Sequence, residues 1–545
     1  MGRPEGAMAG AARWAVLLFG IHLVGAVDTF GPLVRASEGE VWPKPQKEIK
    51  HDTYTVVRPS NFTFKVSQST CSLLEAAVKR YEGYLARHVS HHASKSRGSH
   101  VGLDKESDPR YVGYLGYLDV RLNGSCEEYP HLRMLESYEL IVNSTGKTGS
   151  AALSSSTIWG ILRGLETFSQ LLYIGGNGTE LIVNSTRVID EPRFTHRGLM
   201  LDTSRHFLPT ATIRTVLDGM EMNKMNVFHW HIVDSQSFPY QSEAFPNLSK
   251  KGAYDQELIY TQEDVKNVIE YARVRGIRVV PEFDTPGHTL SWGPGEPDLL
   301  TPCYSFGELD GTYGPINPTL DSTYAFVRKL FREVAELFPD EYMHLGGDEV
   351  DFSCWRSNPS ITSFMSENGI EGYAELEQYY MQRVVNITGD LNASSVVWQE
   401  VFDNGVDLPA GTVVHVWTGS QAEELRKVTA AGHPALLSAC WYLGRLESGG
   451  DWKKFYECEP TDFSGTVDQK RLVMGGEACM WGEVVDESNV VSRVWPRASA
   501  TAEKLWSSAD ADSEDGVARR LEEHYCRMKR RGVGAQPPNG PGYCR

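Results

Sequence analysis

The chain is short of several things. Its nine cysteines include no Cys-x-x-Cys pair, which excludes a zinc cluster of the usual spacing. It has too little positive charge for a polyanion partner. Lys and Arg number 53 against 71 Asp and Glu, a net charge of -18, which argues against nucleic acid or an anionic membrane. After the N-terminal apolar segment no run approaches the ~18 apolar residues of a membrane span. No compact metal-binding motif is present, and neither metal nor cofactor is expected.

What is there points to the secretory route. Arg3 and Arg13 precede an apolar stretch, Trp14 to Val27, with small residues at Gly25 and Ala26. This reads as a signal peptide over residues 1–26. Eight Asn-x-Ser/Thr sites follow, at Asn61, Asn123, Asn143, Asn177, Asn184, Asn247, Asn386 and Asn392, a density that fits a glycoprotein. The cysteines suit an oxidising compartment. The expected pairs are Cys71–Cys126, Cys303–Cys354 and Cys526–Cys544. Cys440, Cys458 and Cys479 are an odd remainder, so at least one is a free thiol or pairs outside the chain.

Two units follow. Residues 27–193 mix short β-rich runs (Tyr54–Val57, Phe62–Val66, Leu118–Leu122, Glu139–Val142) with helical patterns at Ser72–Ala86 and Thr157–Leu172. They read as a small α+β domain with an antiparallel sheet. Residues 88–109, rich in His, Ser and Lys, read as an exposed loop open to proteolysis. From residue 194 to 545, eight apolar strand-like runs alternate with helical periodicity, the pattern of a (β/α)8 barrel with a C-terminal helical extension. The runs are Gly198–Asp202, Asn226–Asp234, Ile277–Asp284, Tyr342–Gly346, Ser395–Gln399, Thr412–Trp417, Ala435–Ser438 and Leu472–Gly475. The spacer Val401–Gly411 is too short for a full helix.

Such a barrel puts its chemistry at the C-terminal strand ends. Those ends carry Asp202, His231 with Asp234, Asp284 with His288, Asp348 with Glu349, Trp398 with Glu400, Trp417, Trp441 with Tyr442, and Trp481 with Glu483. Acids and large aromatics gather there. An aromatic face stacks on the C–H face of a sugar, while carboxylates and Arg forks take its hydroxyls. The segment His344-Leu-Gly-Gly-Asp-Glu349 is central, because two glycines allow a sharp turn that aims both acids into one cavity. Adjacent acids in unlike surroundings divide into one ionised and one protonated group.

Six stretches carry a resemblance: Arg197–His206, Asn226–His231, Glu282–His288, His344–Glu349, Val397–Glu400 and Gly476–Glu483. Together they resemble the lysosomal β-hexosaminidases of glycoside hydrolase family 20, over nearly the whole mature chain. The resemblance implies release of terminal N-acetylglucosamine or N-acetylgalactosamine. In this family the substrate's own 2-acetamido oxygen is the nucleophile. It implies Glu349 as general acid and base, Asp348 orienting the acetamido N–H, and Tyr442 donating to its oxygen. It implies Trp398, Trp417 and Trp481 as walls, Arg197 and Glu483 on ring hydroxyls, and an Asp234–His288–Glu349 relay. His229, His231 and His344 read as strand packing, and Glu400 as a strand cap. A homo- or heterodimer, a ganglioside activator protein and lysosomal delivery are the implied partners and address.

The chain also departs from the family. The two subunit types carry Asn-Arg or Asp-Leu where this chain has Gly444-Arg445. Arg445 is alpha-like and suits a 6-sulfate or a sialic acid carboxylate. Ser448 stands where the family places a tyrosine offered to the neighbouring subunit, Ser235 stands where both types have a second Asp, and the alpha-type insertion after Trp417 is missing. Two other readings compete. One is a non-catalytic sugar-binding protein, which loss of Asp348, Glu349 or Tyr442 would have favoured. The other is a metal enzyme using Asp202, Asp234 and Asp284.

Overall fold

The structure is a computed structural model that describes residues 31–66, 71–95, 105, 107–143, 148–175, 180–444, 450–509 and 512–544. The expected signal peptide, residues 445–449 with Arg445 and Ser448, and Asn177 lie outside the described residues.

The first sheet contains β1 (Lys47–Val57), β2 (Thr63–Val66), β3 (Tyr111–Leu122), β4 (Tyr138–Asn143), β5 (Thr148–Ser155), β6 (Tyr173–Ile174) and β7 (Leu181–Asp190). It is mixed rather than antiparallel, which corrects the sequence reading. β3 runs parallel to β1, β2 and β5, whereas β7 is antiparallel to β1, β4 and β6. The cause is the helix Ser72–Lys95 between β2 and β3, a crossover long enough to return the chain parallel. That helix extends through residues 88–95, into the stretch expected to be loop.

The second sheet closes on itself. β8 (His196–Asp202), β9 (Val227–His231), β10 (Arg278–Glu282), β13 (Tyr342–His344), β14 (Ser394–Trp398), β15 (Val413–Val416), β16 (Ala435–Leu437) and β17 (Val473–Met480) form a closed parallel barrel in that order. All eight expected runs are strands of it. They were readable because parallel strands are buried on both faces and so form continuous apolar runs. The segment after β14 holds only the short helix Gln399–Asp403. An antiparallel hairpin, β11 (Leu300–Ser305) and β12 (Glu308–Ile316), projects from the connection after β10.

Helix Ile158–Leu171 is buried at every residue, wedged between the first sheet and the barrel. Gly160 and Gly164 allow its approach: a Cβ at Gly164 would lie 2.2 Å from a Leu153 methyl. Buried ion pairs fasten the two units, notably Lys224–Asp190 at 2.9 Å and Arg197–Glu136 at 2.6 Å. The C-terminal helix Glu514–Arg530 packs along the same seam, with Arg531 on Glu166 at 2.7 Å just beyond its end.

Four disulfides close: Cys71–Cys126, Cys303–Cys354, Cys526–Cys544 and, from the unassigned remainder, Cys440–Cys458. Cys479 is a free, buried thiol. Asn61, Asn123, Asn143, Asn247, Asn386 and Asn392 are exposed. Asn184 is half-buried, and its amide donates to the His51 carbonyl at 2.9 Å. No helix among the described residues is long and apolar enough to cross a membrane.

Candidate active site

The site is built on the turn after β13. Gly346 and Gly347 take φ of +70° and +95°, the left-handed region open to glycine. A Cβ on Gly346 would lie 1.7 Å from Asp284 Oδ1. That approach lets the Gly347 N–H donate to the same oxygen at 2.8 Å. The chain is then re-aimed so that Asp348 is buried while Glu349 is exposed. Glu349 (φ +51°) and His288 (φ +57°) also occupy the left-handed region, and such strain in non-glycine residues clusters at functional sites.

His288 stands among the acids. Its Nδ1 is 3.3 Å from Asp234 Oδ1. Its Nε2 is 3.9 Å from Asp284, 4.0 Å from Asp348 and 4.0 Å from Glu349. Burial opposes the charged ring, but the Asp234 hydrogen bond and the Asp348 charge raise its pKa above the ordinary range. Burial raises the pKa of Asp348, against the His288 charge. Burial and then the Asp348 charge raise Asp284 further, so Asp284 holds a proton and Asp348 carries the negative charge. Asp348 Oδ1 and Asp284 Oδ2 are both buried, and the Asp284 proton joins the two carboxyls in a hydrogen bond.

Aromatic rings stand beside these acids, near enough that the Asp348 charge acts on Tyr442. Trp398 lies 6.4 Å from Trp417 and 6.2 Å from Trp481 between ring centroids. Tyr442 stacks on Trp417 at 5.9 Å and faces Trp481 at 6.4 Å. Burial raises the Tyr442 phenol well above its usual range, so it remains a donor. Trp441 turns away, fully buried with its indole N–H on the Phe455 carbonyl. Glu400 accepts the Trp417 indole N–H at 2.9 Å; burial raises its pKa to about 7.

Arg197 needs correction as a hydroxyl-binding residue. It is the second residue of β8, about five residues or roughly 16 Å from the strand's C-terminal end. Its guanidinium is fully buried on Glu136 at 2.6 Å and on the carbonyls of Lys224 and Phe194. It joins the barrel floor to the first domain. The arginine at the mouth is Arg205, bound to Asp202 at 3.0 Å and Asp234 at 2.8 Å, with its guanidinium over the Trp481 ring. The strand-end rule would have selected it, since Arg205 follows β8 and Arg197 begins it. Glu483 is exposed beyond Trp481.

Two of the three clusters of potential metal ligands among the described residues do not suit a metal. His229, His344 and His415 bring ring nitrogens within 4.8 Å. Both His229 nitrogens, however, face carboxylates, Glu282 at 2.8 Å and Glu477 at 2.7 Å, which leaves no lone pair for an ion. Near Cys479, burial raises the thiol pKa and opposes the thiolate a metal needs. Asp202 and Asp234 are already matched by Arg205.

The comparisons agree with this architecture. The description "Glycosyl hydrolase family 20, catalytic domain" matches residues 194–509, and "beta-acetyl hexosaminidase like" matches residues 41–171. The human beta-hexosaminidase subunit beta is 48% identical over 94% of this chain and 91% of its own length. The rat beta-hexosaminidase subunit alpha is 46% identical over 98% of this chain and 99% of its own. A chitobiase structure from Flavobacterium johnsoniae superposes with a TM-score of 0.77 at 29% identity, over 90% of this chain and 73% of that one. The chain is thus a glycoside hydrolase, and it belongs to glycosyl hydrolase family 20.

Proposed function

We propose that the enzyme is an exo-acting β-N-acetylhexosaminidase that removes terminal, non-reducing N-acetylglucosamine or N-acetylgalactosamine from glycoproteins, glycosaminoglycans and glycolipids. The observation that carries this is the buried Asp348 carboxylate, whose charge reaches Tyr442, beside a cluster of three tryptophans and that tyrosine. It suits a group with one N–H, one carbonyl and a methyl, which describes an acetamide.

In this reading the Asp348 carboxylate accepts the acetamido N–H, and the Tyr442 hydroxyl donates to the acetamido oxygen. The tryptophans hold that oxygen against the anomeric carbon. The oxygen attacks C1 while the glycosidic C1–O bond breaks and Glu349 gives its proton to the departing oxygen. Positive charge spread over the resulting oxazolinium is balanced by Asp348. Water then attacks C1, Glu349 takes its proton, the ring opens, and the β configuration is restored. Placing the internal nucleophile supplies up to roughly 7–11 kcal/mol of the barrier reduction in well-oriented cases. Asp234 and His288 hold the charge around the Glu349 carboxyl. Arg205 and Glu483 bind ring hydroxyls, and Arg445 binds a 6-sulfate.

The signal peptide, the sequons and the relatives' description as subunits support a lysosomal glycoprotein that pairs with a second subunit of its kind. The test is turnover of neutral and 6-sulfated N-acetylglucosaminides at acidic pH. Glu349→Gln is expected to lose about 10²–10⁴-fold in kcat, and Arg445→Leu to lose the sulfated substrate selectively. Wild-type protein that binds but cleaves neither substrate would establish the sugar-binding reading instead.

A further inference from the structure

Below the acetamide box the barrel interior contains a layer of charge that the reaction above does not use. Its hub is Glu282, the last residue of β10. The strand register puts Glu282 opposite His231 of β9 on one side and His344 of β13 on the other. The carboxylate is fully buried. Oε2 accepts from His229 Nε2 at 2.8 Å and His231 Nδ1 at 2.6 Å; Oε1 accepts from the Trp398 indole at 2.8 Å.

The partners assign the protons. His231 lies between Glu282 and Asp234, at 2.6 and 2.8 Å, so both nitrogens donate and the ring is an imidazolium. His229 is likewise an imidazolium, between Glu282 and Glu477. Burial opposes both charges, but the carboxylates outweigh it. His344 differs: its Nδ1 accepts from the Gly346 N–H at 3.1 Å, so its contact with Glu282 is not a hydrogen bond. Its Nε2 faces His415 Nδ1 at 3.3 Å, and His415 Nε2 reaches Ser438 Oγ. Both of these rings are neutral, and His415 stacks on Trp398 at 4.3 Å.

We infer that Glu282 is a positioning residue that links the acetamide box to the acid relay. The inference rests on the catalytic reading above. One oxygen fixes the Trp398 indole and therefore the wall against the acetamido group. The other keeps His231 charged and turned toward Asp234. Asp234 in turn offers its second oxygen to His288, and His288 faces Asp284, Asp348 and Glu349. A carboxylate that touches no substrate thereby sets both the place of the nucleophile and the proton state of the relay. The groups facing Glu282 that titrate are His229, His231 and His344; the Glu282 charge in turn raises Asp284 and Asp348, and Glu477 shares His229 with it.

Glu477 is the built-in control. It is equally buried and also binds His229, together with His196 at 2.7 Å, but no described hydrogen bond joins it to Trp398 or His231. The experiment measures kcat, KM and the pH profile of full-length wild type, Glu282→Gln and Glu477→Gln, with thermal unfolding alongside. Glu282→Gln is expected to raise KM several-fold and lower kcat at least tenfold. It should also shift the alkaline limb of kcat downward as His231 loses its anion. Glu477→Gln is expected to lose stability while its pH profile stays in place. Where Glu282→Gln fails to fold, Trp398→Phe and His231→Asn, singly and combined, probe the same link, and losses in kcat/KM that do not multiply support it. Multiplying losses, or equal behaviour of the two Glu→Gln variants, overturn it. Should wild type cleave no N-acetylhexosaminide, the catalytic reading itself has failed, an outcome distinct from these.

Discussion

Arg205 and Arg197 lie in one motif and at opposite ends of one strand, and their surroundings predict opposite phenotypes. Arg205 balances Asp202 and Asp234 at the mouth. Arg205→Gln should leave the protein folded and reduce kcat/KM about 100-fold, since a charged ligand-facing contact is removed. Arg197 is sealed from solvent on Glu136. Arg197→Gln leaves a buried charge short of a partner, which costs about 3–5 kcal/mol, while the KM of the surviving folded enzyme stays unchanged. Denaturant unfolding and steady-state kinetics on the pair separate the two. A similar contrast holds for the acids. Asp284, kept protonated by burial and by Asp348, already behaves as a neutral donor and acceptor, so Asp284→Asn should retain activity within about tenfold. Asp348→Asn, which removes the anion facing the acetamide, should lose at least 100-fold, since one such electrostatic contact is worth 10²–10³ in kcat. Equal losses from both would refute the proton assignment.

Elements show where sequence reasoning succeeded and where it had no signal. The barrel strands were legible because burial on both faces wrote them as apolar runs, and the turn at Gly346-Gly347 because it precedes two acids. The hairpin β11–β12 was not, because most of β12 is exposed and has no apolar face to repeat. The expected C-terminal helical extension is the helix Glu514–Arg530. What its sequence did not disclose is the charge on its buried face, where Arg520, Glu523, His524 and Arg527 lie at the domain seam. The Cys440–Cys458 bridge was unreadable from spacing, yet it closes the segment that carries Tyr442. Closing an 18-residue separation contributes about 3 kcal/mol. Cys526–Cys544 closes the same separation at the C-terminus. Cys440→Ser and Cys526→Ser should therefore lower stability alike, while only Cys440→Ser raises KM. A thiol titration of denatured, unreduced protein should find one free cysteine, Cys479.

Across the whole molecule the buried charges set a pH window for stability. Unfolded histidine gives up its proton near 6.5 and unfolded glutamate near 4.5. In the fold, burial works against His229 and His231, but Glu477, Glu282 and Asp234 hold them charged up to about 9 and about 10. Burial keeps Glu377 protonated up to about 8 and Glu400 up to about 7. Between pH 6.5 and 9 the folded state thus binds protons that the unfolded chain has released, and stability falls as pH rises. On the acid side the sign reverses. Glu282, held well below 4.5 despite burial by the charged His231 and His229, and Glu477, held there by His229 and the His196 hydrogen bond, stabilise the fold above 4.5 and lose that contribution as pH drops. His415, held neutral by burial down to about 3, adds stability as pH climbs to 6.5 and nothing after. The gains therefore end by 6.5, where the histidine losses begin. The melting temperature should peak between about 4.5 and 6.5 and decline by several degrees toward pH 9. Glu377→Gln, which replaces a protonated carboxyl with a neutral amide, should flatten the alkaline decline. A melting temperature that stays level or rises to pH 9 would mean that these buried groups do not hold their protons as their partners require.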